Sequence, residues 1–393
     1  MATVPMYDPY LPEVREDPYP IFRALREADP VHLSAFLDVV VLTRYADVSF
    51  VLLDRRFSSD RSLWEWLPPM EGYERSMISL DPPDHTRLRR LVSRSFTAQL
   101  VELTRPWAWT HVDEVLGRAE EHGALELMED VAYPVTQTVF NRALGLPQQD
   151  APRFRAWTTR LARILDPLGF QDGDTGPSFR ATEDEVLAYL AAVVAARRRE
   201  PRSDLISALI AAEQDGDALS EREVLLMVEI LLIGGYETTA RLIGNAILAL
   251  LKHPDQLALL RERPELVSSA VEELMRWDPP AQLTIRVAVE DCELGGRPVR
   301  RGQLVAGFLA AANRDPEQFP DPERLDLTRS PNHHLSFGHG VHLCVGAPLA
   351  RMEAQMAIGE LVRRFPRLRL AGEPVRTPTV TLRGLTSLPL AVS

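Results

Sequence analysis

Cys344 stands near the end of a glycine-kinked run, Phe337-Gly338-His339-Gly340-Val341-His342-Leu343-Cys344-Val345-Gly346, just ahead of a helix-like stretch from Ala347 to Phe365. A thiol placed before a helix start meets backbone N–H groups and the positive end of the helix dipole, and both favour thiolate over thiol. Pro348 suits the first turn of that helix, where a missing N–H costs nothing. A thiolate so held can bond a soft or borderline metal, and as the axial ligand of a haem it pushes electron density toward O–O cleavage. Gly338, Gly340 and Gly346 would let the backbone approach a flat macrocycle closely. Two other readings fit the same residues. A lone cysteine is commonly a small buried hydrophobe, and His339, His342 and Cys344, with His333 and His334 nearby, could hold zinc.

A second constellation is Gly234-Gly235-Tyr236-Glu237-Thr238-Thr239. An acid beside an alcohol can relay protons, although a threonine in a helix also commonly back-bonds its own turn. Two glycines inside a helix cost about 1 kcal/mol each against alanine, so the close approach of another body, or a kink, should justify them. A third group is basic. In Asp81-Pro82-Pro83-Asp84-His85-Thr86-Arg87-Leu88-Arg89-Arg90, helical spacing puts His85 and Arg89 on one face and Arg87, Arg90 and Arg94 on the opposite one. Arg286 lies on an alternating, strand-like stretch from Thr284 to Glu290. Glu273 and Arg276 stand three apart on a helix pattern, which favours an ion pair.

The cysteine run resembles the haem-binding loop of the cytochrome P450 family, Phe-x-x-Gly-x-His-x-Cys-x-Gly, with every fixed position matched, and the likeness extends nearly end to end. The resemblance implies a mainly α, single-domain fold with small β-sheets, covering residues 1–393, whose long central helix lies over the haem. It implies that Cys344 ligates the iron of haem b and that His85, Arg89, Arg286 and His342 bind its propionates. The Gly-Gly-x-Glu-Thr segment is similar to the family's oxygen-activating motif, which casts Glu237 and Thr238 as the proton relay. Glu273, Arg276 and Arg324 match a structural network behind the cysteine loop. The function implied is insertion of one oxygen atom from O2 into a lipophilic small molecule. A peroxide-driven enzyme is a variant that commonly lacks the acid–alcohol pair; a haem sensor would not need that pair, nor a zinc hydrolase the arginines.

Composition narrows the field. A net charge of -12 disfavours nucleic acid as a partner, and Lys252 is the one lysine among many arginines. Two cysteines, Cys292 and Cys344, exclude a disulfide framework and point to a reducing compartment. The amino terminus has no basic-then-apolar leader, and the longest apolar run, Val224 to Gly235, is interrupted by Glu229 and too short to span a bilayer. A cytoplasmic protein without a membrane anchor is expected. The length leaves no room for a fused flavin or iron–sulfur module, so electrons should come from a separate ferredoxin or flavodoxin and its reductase. Arg87, Arg90 and Arg94 are the expected docking face.

The elements that must position these groups are also legible. Pro18 to Ala28 reads as an amphipathic helix and Val39 to Thr43 as a strand. The aromatic-rich stretch from Ser62 to Ile78 suits a pocket wall, and Asp166 to Pro177, dense in Gly, Asp and Pro, reads as a loop that the resemblance makes a lid. Ser220 with Glu223 forms a capping box that opens the longest helix, which runs to Leu251 before His253-Pro254 stops it.

Overall fold

The apolar run that follows Ser220 folds as one 32-residue helix, Glu221–Lys252, about 48 Å long at the usual rise. Its start is the predicted capping box: the Ser220 side chain accepts from the Glu223 N–H, and the Glu223 carboxylate accepts from the Ser220 N–H. In the computed structural model, residues 7–34, 38–64, 76–96, 98–165, 176–214 and 217–393 are described. The helices that build the site are α1 (Tyr19–Ala28), α2 (Tyr45–Leu53), α3 (Asp84–Ser93), α4 (Tyr133–Leu144), α5 (Ala151–Leu161), α6 (Gly176–Arg199), α7 (Glu221–Lys252), α8 (Val267–Trp277) and α9 (Ala347–Arg364).

Beside the helices lie small sheets, the largest made of β1 (Val31–Ser34), β2 (Val39–Leu42), β3 (Phe57–Ser58), β4 (Thr284–Ala288) and β5 (Leu304–Gly307) in the order β1-β2-β5-β4-β3. Neighbours pair antiparallel except β2 and β5, which run parallel with Val40 opposite Val305. Near the carboxyl end β6 (Val375–Arg376) and β7 (Leu385–Ser387) form an antiparallel pair.

The polar turn in α7 falls between two apolar cores. Val224 through Tyr236 feed one core, with Phe140, Phe154, Trp157 and Met352; Ala240 through Leu250 feed another, with Leu116, Leu274 and Phe365. Glu237, Thr238 and Thr239 therefore sit at the junction, where a polar group can be held without interrupting either core. The two helical glycines have separate causes. A Cβ on Gly235 would stand 2.2 Å from the Phe140 ring of α4, whereas one on Gly234 would meet nothing within 4 Å, because that face opens onto a cavity. Among the described residues no helix is long and apolar enough to cross a membrane.

Candidate active site

Between α3, α7, β4 and the cysteine loop lies a cavity of about 400 Å³. Its polar lining includes Cys344, Thr238, His85, Arg89, Arg286 and His342. Six of the seven residues that sequence reasoning assigned to the site thus share one space. Glu237 is the exception.

The cysteine loop is shaped by glycines that no other residue could replace cheaply. Gly338 and Gly340 adopt φ of 76° and 74°. A Cβ on Gly340 would also come within 2.9 Å of the Leu52 carbonyl, which is how the loop seats against α2. The Cys344 N–H donates to the Phe337 carbonyl at 2.9 Å and closes the loop just ahead of α9. The sulfur has free surface because it faces the cavity. Protein packs its other sides, so burial pushes the thiol above its ordinary range, while the Gly346 and Ala347 N–H groups and the charges of Arg89 and Arg351 pull the other way. The helix start does favour thiolate, as its position predicts, but in the protein alone burial outweighs it.

Four basic donors cluster on the same cavity. The rings of His85 and His342 stand 4.1 Å apart between centroids, and His85 Nδ1 and His342 Nε2 are buried without a hydrogen-bond partner. Burial, then Arg286, His85 and Arg89, push His342 down to about 3; burial and Arg89 also lower His85. Arg286, whose Nη1 donates to Thr284 Oγ1 and the Ile285 carbonyl, is pushed down to about 10 by burial, and burial lowers Arg89 as well. The arginine shifts mark cations short of a compensating anion, and the histidine shifts mark rings held neutral by burial and by those cations. Asp81 acts on Arg286 only at a distance, and among the described residues neither arginine is in an ion pair. The donor set therefore fits a flat ligand that carries two carboxylates and an atom for the sulfur to bond. Zinc fits poorly: His339 Nδ1 bonds Ser49, His334 Nε2 bonds Glu272, and no cluster of three metal-ligating side chains occurs among the described residues.

Thr238 reaches the cavity, and its Oγ1 donates to the Gly234 carbonyl at 2.6 Å. Glu237, 100° further round α7, is fully buried on the side away from the cavity. Its carboxylate pairs with Arg241 at 3.1 Å and accepts from Tyr133 Oη at 3.2 Å and Thr159 Oγ1 at 3.0 Å. Burial, then the Glu237 charge, raises the Tyr133 phenol well above its ordinary range, so it stays a donor. Arg241 was readable from its i, i+4 spacing to Glu237; Tyr133 and Thr159 come from α4 and α5 and left no local signal.

Behind the cysteine loop, Glu273 and Arg276 of α8 form a fully buried bidentate pair at 2.8 Å. The third member of the network is Arg329, at 3.1 Å from Glu273, and not Arg324. The Arg324 side chain is exposed; only its carbonyl takes part, accepting from Arg276 and Arg329. Glu272 on the same helix binds Arg351 of α9 and His334, which ties α8 to both ends of the loop.

The arginine face of α3 also departs from expectation. Arg87 is bonded to Asp217 at 2.9 Å and to Glu223, and Arg90 reaches Asp217 at 3.4 Å. Those acids arrive from the short strand Asp217–Ala218 and the first turn of α7, so Arg87 is a structural cation and not part of a free basic face. Arg90 and Arg94 remain exposed. Of the expected pocket wall, Met77 and Ile78 line the cavity; Trp64 is buried beside the sheet, and 65–75 lie outside the described residues, as do 166–175 of the expected lid.

The family model described as Cytochrome P450 matches residues 34–389. The chain is 41% identical over 389 residues to Cytochrome P450 CYP107DY1 of Priestia megaterium (strain ATCC 12872 / QMB1551), covering 96% of this chain and 92% of that protein. It is 40% identical over 393 residues to the Vitamin D(3) 25-hydroxylase of Pseudonocardia autotrophica, covering 96% and 94%. Among solved structures it is similar to P450BioI in complex with an acyl carrier protein ligated to hexadec-9Z-enoic acid, with a TM-score of 0.91 at 35% identity over 97% of this chain and 99% of that one.

Proposed function

Since this chain belongs to the cytochrome P450 family and is an oxidoreductase of that type, we propose that it inserts one oxygen atom from O2 into a lipophilic small molecule, with Cys344 as the ligand of haem b. One observation carries the reading: a single cavity brings together an accessible sulfur, four basic donors short of anions and a helix hydroxyl. In these roles His85, Arg89, Arg286 and His342 hold the two propionates and Cys344 holds the iron. Bound there, the haem supplies oxygen activation and electron transfer. The chain supplies the sulfur, the dry apolar walls and the route for protons. All 393 residues serve one haem domain of a cytoplasmic enzyme.

Substrate class follows the lining, which beyond these groups is mostly aliphatic and aromatic, with Met77, Phe140, Ile230 and Leu382 among it. Sterol-like and fatty-acyl molecules suit such walls, in keeping with the names of the vitamin D hydroxylase and the acyl-carrier complex among its relatives. The reduced protein under carbon monoxide should show the red-shifted band of a thiolate-ligated haem. A fully haem-loaded protein without that band would remove Cys344 from the iron.

Thr238 acts in this scheme by holding a proton donor where oxygen is bound. Its Oγ1 already bonds the Gly234 carbonyl, so the hydroxyl can accept from a water while still donating to its own helix. For Thr238→Ala, product per electron delivered should fall on the order of tenfold or more, less than the roughly 10²–10⁴-fold that a directly acting proton donor contributes, while hydrogen peroxide rises. Haem content and ligand affinity should barely move. Unchanged coupling removes Thr238 from the proton route.

Electrons come from a separate ferredoxin or flavodoxin, an acidic protein that a chain of charge -12 repels overall. Arg87 is half-buried and tied to Asp217 and Glu223, so the docking charge on α3 falls to Arg90, exposed and only at 3.4 Å from Asp217, and to exposed Arg94. Arg90→Glu with Arg94→Glu should slow reduction by the ferredoxin roughly tenfold at low salt and flatten its salt dependence, with dithionite reduction unaffected. Stopped-flow traces identical to the parent's at low salt would move the docking site elsewhere.

A further inference from the structure

Arg89 and Arg351 both act on the Cys344 sulfur, but only Arg89 lines the cavity, where it stands with the other propionate donors. Arg351 lies outside, on α9 and next to the cavity-lining Ala350. Its guanidinium carbon stands 4.4 Å over the centre of the Phe337 ring. Phe337 accepts the Cys344 N–H at its carbonyl, so the residue under the guanidinium is the one that fixes the thiol. The cation is not left bare. Arg351 Nε donates to Glu272 Oε1 at 2.7 Å and its Nη2 to Oε2 at 2.8 Å, a bidentate grip from α8. His334 completes the set: its Nδ1 accepts from the Ser336 N–H, which leaves a proton on Nε2, 3.2 Å from Glu272 Oε2. Burial works to raise the Glu272 carboxyl, yet the bonds from His334 and Arg351 hold it down to about 2, so it keeps its charge at neutral and alkaline pH.

We propose that Arg351 is a positioning residue that holds a positive charge against the back of the Cys344 loop, and that Glu272 offsets that charge, so that the pair sets how readily the haem accepts an electron. The proposal rests on the haem-thiolate reading of this cavity. One-electron reduction adds negative charge to the iron and its sulfur, and a fixed cation nearby favours the reduced form while a fixed anion opposes it. Here the cation bears on the sulfur, and the carboxylate bears chiefly on the cation. Removing Glu272 therefore unmasks Arg351, whereas removing Arg351 leaves the carboxylate to act with only His334 beside it among the described residues. The adjacent Glu273 is closed on Arg276 and Arg329 and takes no part. Arg351 is 37% exposed and Glu272 25%, so water and salt screen part of the field and hold the effect to a few-fold.

The test is the midpoint potential of the haem-loaded protein, read from its absorption during a reductive titration at low salt in mildly alkaline buffer. Glu272→Gln should favour the reduced form about threefold, ~28 mV upward at 59 mV per tenfold, and Arg351→Gln should disfavour it by about the same factor. The double variant should return to within about twofold of the parent, because the two charges it lacks oppose one another. A pair that merely braced the loop gives a different pattern: either loss loosens the same packing, and both variants move the same way. Arg351→Lys keeps the charge and gives up the planar fork, so its potential should stay near the parent's. Should one single variant lose haem, the other decides alone: Glu272→Gln by its upward shift, Arg351→Gln by a downward shift that Arg351→Lys does not share. Shifts of one sign in both single variants, no shift in either, or a lysine variant that matches the glutamine one overturns the proposal. A parent without the thiolate-type carbon monoxide band overturns the haem-thiolate reading itself, and the proposal with it.

Discussion

Cys344→Ala should abolish oxygenation, leaving product at background, and should replace the thiolate-type carbon monoxide spectrum with that of a haem lacking a sulfur ligand. The expectation follows from the loop geometry: the Cys344 N–H is fixed to Phe337, two left-handed glycines shape the turn, and no second thiol lines the cavity, since Cys292 lies on the short strand Cys292–Leu294. Haem should still bind weakly, because the variant leaves the basic donors His85, Arg89, Arg286 and His342 in the cavity. Cys344→Ser should behave almost as badly, since a neutral hydroxyl donates far less electron density than a thiolate. Parent-like turnover by the alanine variant would sink the assignment of the sulfur.

Glu273→Ala should cost about 3–5 kcal/mol, the usual penalty for leaving a buried charge without its partner, and here two cations are stranded. The loss extends beyond the pair, because Glu273 also accepts from Asn332 and from the Asp326 N–H, which fix the chain leading to the cysteine loop. Denaturant unfolding and haem retention should both register it. The same measurements separate the two arginines. Arg329→Ala should destabilise strongly, whereas Arg324→Ala, which removes only an exposed side chain and spares the carbonyl, should fall within about 0.5 kcal/mol of the parent. Equal losses for both would restore Arg324 to the network.

That contrast shows what a sequence reveals and what it hides. The capping box at Ser220, the glycine-kinked loop before α9 and the shared face of His85 and Arg89 are all local, set by residues within a few positions of one another, and each was readable. So was the family, and with it the mainly helical fold. Long-range pairings were not. Which arginine meets Glu273 depends on how the chain between Phe319 and Asn332 coils back: Arg324 and Arg329 are almost equally distant from it in sequence, and only the Arg329 side chain reaches it in space. Arg87 looked solvated because Asp217 and Glu223 lie more than a hundred positions away. Glu237 matched its motif, but the motif is silent about Arg241, whose other contacts come from the carboxyl-terminal turn.

The cluster of four basic donors also has a consequence for how the molecule is made. By themselves His85, Arg89, Arg286 and His342 crowd unsatisfied ring nitrogens and poorly compensated arginine charge around one cavity, an arrangement that works against closing the chain unless an anion joins them. Cofactor capture then completes maturation, and its binding energy becomes part of the energy of folding. Supplying a porphyrin precursor during expression should therefore raise the yield of folded enzyme, and an unchanged yield would separate cofactor capture from folding.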